Sequence, residues 1–76
     1  MNNNRRKRIN EAVELLNQAQ EILQECHDEE EEYLDNMPEN LYYSEKHDIA
    51  ESAVDSLDSA LSQIEDVINY AEEAAE

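Results

Sequence analysis

The chain has 76 residues, with 21 acidic side chains against 5 basic ones, a net charge of −16, one cysteine, one proline and no glycine. That length allows one small domain with a marginal core. A lone cysteine excludes an internal disulfide, and the absence of glycine excludes a glycine-rich phosphate loop and most tight turns.

Few turns and abundant charge point to long helices. The residues Ile9, Ala12, Leu16, Ala19, Leu23, Cys26, Glu30, Tyr33 and Met37 recur at alternating steps of three and four. This is the a/d stripe of a heptad helix, with Ile9 as an a position. Val13, Leu15, Ile22 and Leu34 widen it on both flanks. The pattern predicts a first helix over about 4–36, ending before Pro38, which disfavours helical geometry at Met37. Pro38 is also suited to open a short helical turn.

A second stripe follows: Ala50, Ala53, Leu57, Ala60, Ile64, Val67, Ala71 and Ala74, with Val54, Leu61 and Ile68 in a parallel row. Ser44 is the expected N-cap, and the predicted helix covers about 44–74. The short connection makes the two helices antiparallel. The fold class is therefore all-α, a two-helix hairpin forming one domain over 1–76. One hairpin is too thin to cover both stripes and their flanks. Val13, Leu15, Ile22, Val54, Leu61 and Ile68 are accordingly expected to form a homodimer interface, giving a four-helix bundle.

The connection Asp35-Asn36-Met37-Pro38-Glu39-Asn40-Leu41, followed by Ser44-Glu45, resembles a loop of small acidic helical proteins of phages and bacterial mobile elements. The resemblance implies a helical hairpin in such a genomic setting, and no particular activity.

Chemistry-bearing residues are few in kind. Cys26-His27-Asp28-Glu29 holds three metal-ligand types in a row, but consecutive helix residues diverge by about 100°. His27 with Glu30 or Glu31, and His47 with Glu51, have better spacing yet give two ligands at most, short of the usual four. No metal or other cofactor is expected, and Cys26 reads as a small buried residue. Glu30 lies on the stripe itself and suggests a register-setting pair with Lys46 or His47. The remaining carboxylates face solvent, where nothing would tune them for catalysis. The sequence does not read as an enzyme.

The basic cluster Arg5 to Arg8 is not followed by an apolar run, so it does not read as a signal peptide, and no stretch is long enough to span a membrane. A cytoplasmic location is expected. The cluster sits where the hairpin brings it beside Glu72, Glu73 and Glu76, which suggests charge pairing between helix ends.

From Ile9 onward 21 acids face Lys46 alone, a net charge of −20. Nearly all of these acids occupy b, c and f positions. A helix of about 32 residues is roughly 48 Å long, which gives one charge per about 2.4 Å, against about 1.7 Å for duplex DNA. Such a surface disfavours nucleic acid and anionic lipid and favours a basic protein partner. Glu25, Asp28, Glu32 and Asp35, with Asp48, Glu51, Asp55 and Asp58, are the candidate contact residues. The expected function is a non-enzymatic acidic interaction protein, a DNA mimic that inhibits a nucleic-acid-binding protein in the manner of anti-restriction and anti-CRISPR proteins. The alternative is a structural adaptor or acidic antitoxin that works through its apolar stripe.

Overall fold

The computed structural model describes residues 1–76. Helix α1 spans Asn3–Asp35, a single 3-10 turn covers Glu39–Leu41, and helix α2 spans Glu45–Ala74. The two helices pack antiparallel into a rod measuring 59 × 14 × 13 Å over its Cα atoms. Its radius of gyration is 17.3 Å, against about 11 Å for a compact globule of this length.

Each helix end has a local cause. The Asn2 side chain caps α1 by accepting the Arg5 N–H at 2.7 Å. At the far end the Asn36 N–H reaches back to the Glu32 carbonyl, and Pro38 holds an extended backbone that stops the helix. Pro38 then caps the 3-10 turn, as its fixed φ suits it to do. Ser44 opens α2, accepting the His47 N–H at 3.3 Å while its hydroxyl donates to the Leu41 carbonyl at 2.6 Å. One side chain thus ties the 3-10 turn to the second helix.

The seam between the helices differs from the expected one. On α1 the protected positions are Arg6, Ile9, Val13, Leu16, Ala19, Gln20, Leu23, His27, Glu30 and Leu34, with Met37 closing the turn. On α2 they are His47, Ala50, Ala53, Val54, Leu57, Ala60, Leu61, Ile64, Ile68, Ala71 and Ala75. With Ala50 as an a position on α2, these are a and e positions joined by three half-buried d alanines, Ala19, Ala53 and Ala60. Ala12, Cys26, Tyr33, Val67 and Ala74, expected at the seam as d residues, are exposed.

Side-chain volume accounts for this rotation. Turning α2 toward e brings Val54, Leu61 and Ile68 into the seam, leaves Ala53 and Ala60 half-buried at its edge and exposes Val67. The row brought in has roughly six more side-chain carbons than Ala53, Ala60 and Val67, each worth up to about 0.8 kcal/mol when fully buried. Four of the six residues expected at a dimer interface are therefore used within the hairpin. Val13, Val54 and Ile68 are buried and Leu61 is half-buried, whereas Leu15 and Ile22 remain 65% and 59% exposed.

Ile68 is the most protected large residue, at 4% exposure. Ile68→Ala should lower unfolding stability by about 2–4 kcal/mol, measured by urea unfolding at fixed protein concentration. A loss below about 1 kcal/mol would mean that Ile68 lies outside the seam.

Candidate functional site

Twenty of the 21 carboxylates are exposed, and Glu30 alone is half-buried. No lysine or arginine side chain lies within 4.0 Å of a carboxylate; every close acid–base contact involves His27 or His47. The acidic surface is almost wholly uncompensated within the molecule.

Two cross-helix contacts locate it. Gln20 donates to Glu65 Oε2 at 2.6 Å, and His27 Nε2 lies 2.7 Å from Asp58 Oδ1. Gln20 and His27 are e residues, and Glu65 and Asp58 are b residues. The e/b flank of both helices is therefore one side of the hairpin. The b and f acids lie on that side, and the c acids point away from the seam. Of the candidate contact residues, Asp28, Asp35, Asp48, Glu51, Asp55 and Asp58 share this face, and Glu25 and Glu32 border it. All eight are exposed. The 21 carboxylates along 59 Å amount to about one per 3 Å, within a factor of two of the phosphate spacing of duplex DNA. The net charge of the whole rod is −16, because the basic cluster at one end offsets part of it, and the turn and the helix ends lengthen the rod beyond the sequence-based figure.

His27 is the feature that sequence reasoning missed. Weighed there as one of two possible metal ligands, it is 8% exposed, a seam residue ringed by acids. Its Nδ1 meets Asp28 Oδ1 at 3.1 Å. Its Nε2 approaches Asp58, and also Glu31 at 3.7 Å. The hydrogen bond to Asp28 raises the His27 pKa above its ordinary 6.5; burial opposes that shift, and the charges of Asp58 and Glu31, with the close polar contact to Asp58, assist it. Asp28 is lowered in return, first by His27 and then by the Gln24 amide. The signal was present in sequence, because Val13, Gln20, His27 and Leu34 form the e row that repeats every seven residues.

His47 occupies the matching e position on α2. Its Nδ1 is 3.6 Å from Glu51 and its ring centroid 5.7 Å from that of Tyr42. The same rotation that admits His47 to the seam moves Lys46 to the flank, so the expected Glu30–Lys46 pair does not form. The expected pairing at the free end is also altered. Arg6 reaches the backbone carbonyls of Ala75, at 2.8 Å, and Glu76, at 3.3 Å, instead of the glutamate side chains. There it satisfies carbonyls at the negative end of α2.

No group of three or more histidine, cysteine or acidic side chains is arranged to hold a metal ion. An open cleft of about 440 Å³ lies by the turn, lined by Glu29, Tyr33, Met37, Pro38, Leu41 and Lys46 among others. No helix is long and apolar enough to cross a membrane. Compared with known protein families, characterised proteins and solved structures, the chain matches none.

The His27 cluster has a defined pH signature. A raised histidine pKa contributes stability that is full below about 6.5 and lost as pH rises through the raised value. The lowered Asp28 pKa contributes above about 3.8 and is lost as pH falls through its lowered value. The melting temperature should therefore fall from pH 6 to pH 8 in the wild type and stay flatter in His27→Gln. NMR titration should give His27 a midpoint above 6.5; a midpoint at or below that value would contradict the cluster's geometry.

Proposed function

We propose that the protein is a non-enzymatic interaction protein whose carboxylate face occupies the nucleic-acid-binding surface of a basic protein, a DNA mimic of the inhibitory kind. The observation that carries this reading is the uncompensated acidic face. Twenty exposed carboxylates have no lysine or arginine within ion-pair distance, and they line a rod whose charge spacing approaches that of a duplex. A surface serving only solubility would gain stability from interspersed lysine. Here every i, i+4 acidic contact costs a few tenths of a kcal/mol, which is the expense a binding surface would justify.

A non-catalytic role is supported by the same geometry. The cleft at the turn is open, and its one cation, Lys46, is exposed. The only tightly ringed titratable group, His27, is shut into the seam by its acidic neighbours. The resemblance of the turn to phage and mobile-element proteins fits an inhibitor of host nucleic-acid-binding machinery. The adaptor or antitoxin reading draws on a separate observation, the exposed apolar row that includes Leu15 and Ile22.

The carboxylates should act collectively. Glu25→Gln, Glu32→Gln, Asp35→Asn and Asp55→Asn together change four outward residues that touch neither histidine. Four exposed ion pairs at about 0.2–1 kcal/mol each make the expected loss of partner affinity at least about fourfold and up to about a thousandfold. The immobilised protein, incubated with a bacterial lysate, should retain basic nucleic-acid-binding proteins. Both duplex DNA and about 0.5 M NaCl should release them. Capture that resists salt and survives the fourfold substitution, yet disappears in Leu15→Ser/Ile22→Ser, would replace mimicry with the adaptor reading.

A further inference from the structure

The rotated seam leaves a second, unpartnered face. On α1, Leu15, Ile22 and Cys26 lie exposed, as do Ile49, Val67 and Tyr70 on α2. All are d or g residues, and Ala12, Ala19, Ala53 and Ala60 fill the d positions between them. The d and g positions fall about 80–140° to one side of an a/e seam. Reversing the chain direction also reverses the sense of rotation, so in an antiparallel pair the same letters emerge on the same side. The contacts Gln20–Glu65 and His27–Asp58 assign the opposite side to e and b. The two exposed rows therefore merge into one apolar face, two helices wide, with the acids behind it.

We propose that this face is covered by a second copy of the chain, the two hairpins packing face to face as a four-helix bundle. Surface area supports this occupant. The accessible surface is 5831 Å², whereas a compact monomer of 8.8 kDa exposes about 4,800 Å². The excess of about 1,000 Å² matches the roughly 800 Å² per partner of a standard interface. Only 7 of 76 residues are buried and no large side chain is fully so, leaving the lone hairpin little core of its own.

Charge selects a copy of the same chain. Two molecules of net charge −16 repel one another over most approaches. The d/g face carries a single carboxylate, Glu29, together with Arg5, Arg8 and Lys46, three of the five basic residues. It is the one side on which two copies can meet without opposing their acids. The pairing leaves both carboxylate faces outward, so it is compatible with the proposed function and independent of it.

Sedimentation equilibrium of the full chain at micromolar concentration should give twice 8.8 kDa. Added salt should tighten the association by screening the outer faces. Ile22→Ser with Tyr70→Ser should return the mass to 8.8 kDa, since both residues lie outside the hairpin seam. The unsubstituted protein supplies a readout that does not depend on a variant folding. Cys26 lies within the face, so its alkylation by a maleimide should slow about tenfold as the dimer forms with rising concentration. A monomeric mass with concentration-independent alkylation would overturn the proposal. So would a dimer that persists in the double variant.

Discussion

The order of the molecule depends on one seam, and side-chain volume on α2 decides which residues enter it. Val54, Leu61 and Ile68 stand beside a row of alanines, and the helices close on the bulkier row. Everything placed around the hairpin follows from that rotation. His27 and His47 enter the protected zone, Lys46 leaves it, and Cys26 and Tyr33 turn to solvent. A shift from d to e is only about 100° about the helix axis, yet it changes which side of the hairpin is acidic and which is apolar.

The seam also explains how so acidic a chain tolerates its own charge. Apart from Glu29 at g, the helix carboxylates stay at b, c and f, where water and salt screen them, and the only one drawn toward the seam, Glu30, is half-buried. Where acids from the two helices do converge, at Asp28, Glu31 and Asp58, a histidine stands between them. Protonated His27 is a local counter-charge that joins α1 to α2 across the acidic side. With the Gln20–Glu65 and Arg6–Ala75 hydrogen bonds it supplies polar specificity in a seam otherwise held by non-directional apolar contact, and its own share of that specificity depends on pH.

Much of this was legible in the residues. The 3.5-residue period gave both helices, Pro38 and Ser44 marked the turn, and the helix limits fell within a residue of their expected places. The choice between d and e was not legible from periodicity, because both rows repeat every seven residues and share the a positions. Resolving it needs a comparison of volumes across both helices: Leu61 with Ala60, and Ile68 with Val67. The same ambiguity hid His27, whose type suggests surface exposure and whose seven-residue spacing from Gln20 and Leu34 places it inside. The acidic face escaped this difficulty. Carboxylates at b, c and f remain outside whichever neighbouring row enters the seam.

Antiparallel geometry gives the hairpin its two-sidedness. In a parallel pair, the d/g flank of one helix and that of its partner would emerge on opposite sides, leaving two narrow stripes. Chain reversal brings them together, so a sequence with one weak secondary stripe per helix acquires one broad apolar face and one broad acidic face. Alanine at the d positions keeps the apolar face flat along its middle, from Ala12 to Ala19 on α1 and from Ala53 to Ala60 on α2, while Leu15, Ile22, Val67 and Tyr70 stand out from it. Alternating low and high positions are what a facing helix pair can interdigitate with. Two working surfaces are thereby separated on a scaffold only two helices thick, and charge on one need not be traded against contact area on the other.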